Sequence, residues 1–149
     1  MNRKTLISPP VLLVLVMLAA ITVVFVIVLL TSSNETDPGM TPDDYNARGA
    51  ELVAMGNSEN GAQLIVSKTC TACHRDEAGS VGPSFTGIVD YAGTLRPGFT
   101  AEGYLLESIL DPGVYLYNNY SNSMPALGTQ LSDQELADIM AYLMTQHAQ

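Results

Sequence analysis

One uninterrupted apolar segment dominates the hydropathy pattern of the 149-residue chain. Residues 11–30 contain no charged side chain, and Thr22 is their only polar residue. Twenty helical residues span about 30 Å, which is the hydrocarbon thickness of a bilayer. Pro9 and Pro10 stand at the start of the segment, where a missing backbone N–H costs least. The pattern therefore predicts one transmembrane helix over residues 11–30.

A cleaved signal peptide is the alternative interpretation of the apolar segment. Signal peptides have an apolar region of about 7–15 residues that ends at a small-residue cleavage site. This segment is longer, and residues 31–34 offer no strong site, which favours an uncleaved anchor. Arg3 and Lys4 precede the segment and predict a cytoplasmic N-terminus over residues 1–10. The remainder of the chain is then expected on the outer side of the cytoplasmic membrane.

Amphipathic patterns after the anchor predict helices over residues 58–67, 100–110 and 132–145. The last is the most strongly marked, since Ser132 and Glu135 have the spacing of a capping box. Gly61 lowers helix stability, so its presence predicts a close crossing by another helix. Glycine-rich stretches separate the helices and predict loops, not strands. The fold class is therefore expected to be all-α, with residues 58–149 forming one small domain.

The region between the anchor and this domain gives weaker signals. Thr41-Pro42-Asp43-Asp44 is typical of a helix start, but the following residues have a weak apolar face. Residues 31–57 are therefore predicted to be a linker that contains at most a short helix.

The charge of the chain is unevenly distributed. Its formal net charge is −9, but the part after residue 30 contains four basic and fifteen acidic residues, a net charge of −11. Such a surface repels nucleic acid and anionic lipid and favours partners with a basic face. The alternative interpretation is that the acidic residues only keep the surface soluble and recognise no partner.

The two cysteines of the chain lie three positions apart, and a histidine follows the second one directly. This Cys70-Thr71-Ala72-Cys73-His74 sequence is the attachment pattern of a c-type haem. Each thiol can add to one haem vinyl group, and His74 is then the predicted proximal iron ligand. A four-thiolate zinc site within one chain is excluded because it needs two more cysteines. A thioredoxin-like redox pair is disfavoured because it needs a βαβ context, which the sequence pattern lacks.

Met124 is the predicted sixth iron ligand. It lies in the loop between the helices predicted over residues 100–110 and 132–145, and Pro125 stiffens this loop. Met140 and Met144 instead lie on a predicted helix, where methionine usually fills the core. The alternatives are a five-coordinate iron or a second histidine, His147, which lies near the end of the chain.

From about residue 58 to residue 146 the chain resembles the class I cytochromes c. That family has an N-terminal helix, the haem motif, a glycine-rich loop, a loop with the axial methionine, and a C-terminal helix that crosses the first. The counterparts here are the helix with Gly61, Cys70–His74, Val81–Phe85, Ser123–Pro125 and the helix with Tyr142. The resemblance implies that the Pro83 carbonyl accepts the His74 Nδ1 hydrogen.

The resemblance implies a one-electron carrier with one covalently bound haem c, and not an enzyme. We expect a membrane-anchored cytochrome whose partners are other electron-transfer subunits. The chain also resembles, less specifically, the mono-haem cytochrome subunits of alternative complex III, a bacterial quinol oxidoreductase. The alternatives are a freely tethered shuttle, a subunit whose haem is idle, and a haem-based sensor or peroxidase.

Overall fold

The computed structural model describes residues 8–32, 39–76 and 80–148, and these residues form α-helices, short 3₁₀ turns and no β-strand. The predicted all-α fold is confirmed. Contacts divide the chain into two compact units, Met1–Gly39 and Met40–Gln149. The helices of the described residues are α1 (Pro9–Ser32), α2 (Pro42–Met55), α3 (Ser58–Ser67), α4 (Ile88–Ala92), α5 (Ala101–Leu110) and α6 (Asp133–Leu143).

Helix α1 is the described helix of the first unit and is apolar on all sides. The Ser8 carbonyl accepts hydrogen bonds from Val11 N and Leu12 N at 2.9 and 3.1 Å and so begins the helix. The large apolar side chains described on α1 are 44–62% exposed. By length and composition α1 is able to cross a membrane. The predicted apolar helix is present and extends two residues further at each end.

Helix α2 begins with a reciprocal hydrogen-bond pair. Thr41 Oγ1 accepts from Asp44 N at 3.3 Å, and Asp44 Oδ2 accepts from Thr41 N at 2.9 Å. Two buried side chains, Tyr45 and Leu52, lie on the face of α2 that packs against α5 and α6. The helix is therefore anchored in the second unit by a narrow apolar face.

Glycine allows α2 and α5 to approach closely. A Cβ atom built on Gly49 would lie 2.8 Å from the backbone carbonyl carbon of Glu102. Nearby, Asn46 accepts a hydrogen bond from Thr100 N at 2.8 Å and donates one to Gly98 O at 2.7 Å. The second unit begins at Met40 and so includes α2, which lies where the sequence allowed a short helix within residues 31–57.

Helices α3 and α6 cross with their backbones in contact. A Cβ atom built on Gly61 would overlap the Asp138 carbonyl and lie 2.6 Å from Tyr142 Cβ. Gly56, which ends α2, approaches the Ala137 carbonyl in the same way. This is the close crossing that Gly61 predicts. The helix begins at Ser58, the first residue of the predicted range 58–67, and Asn57 caps it, because its Oδ1 accepts from Glu59 N and Asn60 N.

Helix α5 lies at the centre of the second unit. Its Tyr104, Leu105, Leu106 and Ile109 side chains are buried. Leu52, Leu106 and Met140 are the largest fully buried side chains of the described residues, and they come from three different helices. This core supports the two loop regions on either side of α5, where the candidate site residues lie.

Candidate haem-binding site

The Cys70–His74 sequence forms one tight turn directly after α3. Thr69 adopts a left-handed conformation, with φ 62°, and turns the chain into a 3₁₀ turn over Cys70–Ala72. Cys73 N and His74 N both donate to the Cys70 carbonyl, at 3.2 and 3.0 Å. No disulfide joins the two cysteines; Cys70 is half-buried and Cys73 is exposed. The turn thus places two cysteine side chains and an imidazole within five residues.

His74 is fixed in orientation by the segment that follows the turn. Its Nδ1 lies 2.7 Å from the Pro83 carbonyl oxygen, the contact that the family resemblance implies. Because a carbonyl only accepts hydrogen bonds, Nδ1 carries the proton and Nε2 keeps a lone pair for a metal. The Phe85 ring stacks on the imidazole, with centroids 4.7 Å apart and 14° between the ring planes.

Gly82 leaves the space that the imidazole occupies. A Cβ atom built on Gly82 would lie 2.7 Å from His74 Cε1 and 2.9 Å from Nδ1. Gly82 N also donates to the Cys73 carbonyl at 2.9 Å, which aligns the two segments as an isolated parallel bridge. A side chain at this position would displace the ring.

Ser80 is a contact residue that the sequence analysis missed. Its Oγ lies 2.5 Å from the Cys73 carbonyl and 2.6 Å from the Gly82 carbonyl, and it accepts from Arg75 N at 3.2 Å. One hydroxyl therefore joins the haem-motif turn to the Gly82 segment. A lone serine beside glycine carries no distinctive pattern, so the sequence offered no signal for this role.

Met124 lies in the loop between α5 and α6, which we call the Met124 loop (residues 111–132). Its side chain is half-buried and packs against the same core cluster as Cys70 and Phe85. Among the alternatives, Met140 is fully buried in the core. His147 is engaged elsewhere, because its Nδ1 lies 2.7 Å from Asp90 Oδ1 on α4.

These residues fit a covalently attached haem. The donor set comprises two thiols, an imidazole with an available Nε2 and a thioether, which is the set that holds haem c in electron carriers. Gly82 provides the cradle for the imidazole. Val81, Val114 and Leu116, in the loops next to His74 and Met124, are 45–60% exposed, so these loops present apolar surface that a haem would cover.

An ion pair ties the haem-motif turn to the start of α6. Lys68 Nζ lies 2.6 Å from Glu135 Oε1, and Glu135 Oε2 accepts from Ser132 N at 2.9 Å in the predicted capping box. The Lys68 ammonium and the Ser132 backbone N–H lower the pKa of Glu135 to about 2. The charged carboxylate therefore stabilises the folded chain at neutral pH.

We expect acid to weaken this contribution in a defined pH range. The folded-state pKa of Glu135 is depressed, so its contribution to stability is present above about pH 4.5, the ordinary glutamate pKa, and is lost as the pH falls towards 2. Glu135→Gln should lower the free energy of unfolding at pH 7, and the difference from wild type should shrink between pH 4.5 and pH 2. Denaturant titrations at several pH values measure this difference in unfolding free energy, and Glu59→Gln, at an exposed position in the first turn of α3, is the control. An unchanged difference at every pH would contradict the assignment.

The fold and the site together define a small all-α protein built to hold one haem through a Cys-x-x-Cys-His turn. Residues 58–147, more than half of the chain, match the cytochrome c family model. The chain is also similar to cytochrome c6 from Picosynechococcus sp.: the two are 33% identical over 86 residues, which cover 58% of this chain and 70% of that protein. No solved structure matches. The chain belongs to the cytochrome c family.

This membership establishes the general properties of the protein. It is a class I mono-haem cytochrome c with covalently bound haem c. It is an electron carrier that acts with redox protein partners. The family match begins at residue 58, so α1 and α2 are additions that precede the family domain in this chain.

Proposed function

We propose that this protein is a membrane-anchored cytochrome that passes single electrons between redox partners on the outer face of the cytoplasmic membrane. The observation that carries the proposal is the presence, in one chain, of the Cys70–His74 turn and the apolar helix α1. Covalent haem attachment normally takes place outside the cytoplasm, and Arg3 and Lys4 favour a cytoplasmic N-terminus. An uncleaved α1 would then keep the second unit at the outer membrane surface.

We assign the site residues by their chemistry. Cys70 and Cys73 would form the two thioether links, His74 Nε2 and the Met124 sulfur would ligate the haem iron, and the Pro83 carbonyl orients His74. Bound haem would supply a one-electron iron couple. A neutral thioether ligand would favour the reduced iron and raise the reduction potential. With two ligands from the protein, the iron would favour electron transfer over peroxide or oxygen chemistry.

The charges of the second unit support partners with a basic docking face. Several basic residues of this unit contact carboxylates: Arg48 contacts Glu51 and Asp133 at 3.2 Å, Lys68 contacts Glu135, and Arg96 contacts the buried Glu107. These pairs neutralise cations within the fold, and the remaining acids leave the surface strongly anionic. Basic partners are therefore attracted at long range, and the attraction is weakened by salt.

We further propose that the protein is a subunit of a larger electron-transfer complex, such as a quinol oxidoreductase, as the resemblance to alternative complex III subunits suggests. A freely tethered shuttle is the second candidate. Purification from native membranes in mild detergent distinguishes them. A fixed subunit co-purifies with other redox subunits in constant ratio at high salt, whereas a shuttle elutes alone.

The proposed topology predicts the outcome of limited proteolysis. Protease added to intact spheroplasts should release the haem-stained domain and leave the N-terminal segment in the membrane. The expected result follows from Arg3 and Lys4 before the apolar helix, and an epitope at each end of the chain measures it. A haem domain that is protected until the membrane is lysed would overturn the orientation. A mature N-terminus near Thr31 would overturn the anchor.

A further inference from the structure

Three tyrosine rings form a stack between α4 and the Met124 loop. The Tyr91 and Tyr117 ring centroids are 5.4 Å apart, with 19° between the ring planes. The Tyr117 and Tyr120 centroids are 6.4 Å apart, with 18° between the planes. These separations fall within the favourable range for offset stacked rings. All three residues are half-buried, so the stack joins the loop to the body of the domain.

The backbone between the two loop tyrosines is held in an unusual conformation. Asn118 has φ 48° and ψ 40°, and Asn119 has φ 62°, which places two successive residues in the left-handed region. Asparagine tolerates this region better than most residues, but two in succession are uncommon. Such a conformation persists only where surrounding contacts hold it. Here the turn allows the Tyr117 and Tyr120 rings to stack on each other.

The stack lies in the stretch of the loop that has mainly local hydrogen bonds. The ends of the loop are fixed by Val114 N to Asp111 O at 3.0 Å and by Leu127 N to Ile109 O at 3.1 Å. Between them, the described backbone bonds join near neighbours, as Ser123 N to Ser121 O does at 2.8 Å. The aromatic contacts therefore contribute strongly to the conformation of this stretch. Met124 follows Tyr120 by only four positions, so it lies close to the stack along the chain.

We propose that Tyr117 is a positioning residue that keeps Met124 within reach of the haem iron by stacking on Tyr91. This inference rests on the proposed function, because it takes Met124 as the sixth ligand. Without the stack, Asn118 and Asn119 relax to the ordinary backbone region, and the residues that follow them shift. The contact uses the ring faces, so a phenylalanine at position 117 preserves it and a leucine does not.

The test uses the full-length haem-loaded protein in detergent and compares Tyr117→Leu with Tyr117→Phe. The readouts are the weak far-red sulfur-to-iron band of the oxidised protein and the rate of carbon monoxide binding to the reduced protein. Tyr142→Leu is the matched control, since Tyr142 is also half-buried but lies on α6 at the crossing with α3. The free energy of unfolding is measured for every variant.

Tyr117→Leu should weaken the far-red band and speed carbon monoxide binding at least tenfold, while Tyr117→Phe keeps wild-type values. Tyr142→Leu should lower stability but leave both readouts unchanged. The inference is overturned if Tyr117→Leu binds carbon monoxide within twofold of wild type, or if Tyr142→Leu speeds it equally. If Tyr117→Leu does not fold, Tyr120→Leu, at the outer end of the stack, takes its place. It should speed carbon monoxide binding at least threefold. A binding rate within 1.5-fold of wild type would overturn the proposal.

The same series separates this inference from the ligand assignment. If Met124→Ala removes the band and Tyr117→Leu leaves it intact, Met124 remains the ligand and only the positioning role of Tyr117 is excluded. If Met124→Ala itself leaves the band intact, the ligand assignment fails, and the role of Tyr117 fails with it.

Discussion

Replacing Cys70 and Cys73 together by alanine should abolish covalent haem binding. The two cysteines lie in one turn after α3, no disulfide joins them, and no other cysteine is present in the sequence to replace them. Haem in the wild-type protein should survive acid–acetone extraction and a denaturing gel, whereas the double variant should show no haem stain. A domain of about 90 residues has a marginal core, so the variant should also be poorly folded.

Single substitutions separate the two thioether links. Cys70→Ala and Cys73→Ala should each keep one covalent link. The α-band in the absorption spectrum of the haem's pyridine complex should shift, because one vinyl group remains unsaturated. Ser67→Ala, an exposed position at the end of α3, is the control and should retain full haem stain. Release of haem from the wild-type protein by acid–acetone would contradict the attachment on which the site depends.

Met124→Ala should remove the sixth ligand and open the iron to carbon monoxide. The far-red sulfur-to-iron band of the oxidised protein should disappear, and the reduced protein should bind carbon monoxide readily. Met124→His should instead keep the iron low-spin and lower the reduction potential, because a second imidazole favours the oxidised iron more than a thioether does. Absorption spectra and a redox titration measure these changes.

The two methionines of the predicted C-terminal helix, Met140 and Met144, are the controls for the Met124 substitutions. Met140→Leu and Met144→Leu should leave the band intact and change stability by less than about 1.5 kcal/mol each, the usual limit for such volume-conserving changes. Met140 is fully buried, so its substitution tests the core without touching the loop. A band that persists in Met124→Ala and disappears in Met140→Leu or Met144→Leu would move the ligand out of the Met124 loop.

The elements that sequence reasoning predicted well are those with local chemical markers. Helix α6 starts where Ser132 and Glu135 place a capping box, and α5 is capped by Thr100, the first residue of the helix predicted over residues 100–110. These signals act over one helical turn, so they are readable without knowledge of the tertiary structure. The haem motif is readable for the same reason, because its chemistry is confined to five residues.

The features that escaped prediction depend on contacts between distant segments. The sequence indicated at most a short helix at α2 and gave no sign of its packing against α5, because that packing relies on backbone approach at Gly49 and only two large buried side chains. Helix α4 has five residues and follows a glycine-rich stretch, so no periodicity marks it. The tyrosine stack joins residues 26 positions apart (Tyr91 and Tyr117), which no local pattern reveals.

The crossing of α3 and α6 has a consequence for biogenesis. These helices bracket the family domain, and more than 60 residues separate the end of α3 at Ser67 from the start of α6 at Asp133. A chain is synthesised from its N-terminus and a domain folds as a unit, so α3 cannot pack on α6 until α6 has been made. Until then the two thiols remain on an open chain, and in the closed structure Cys70 is half-buried. The crossing therefore forms late, and before it forms both thiols are accessible for haem attachment.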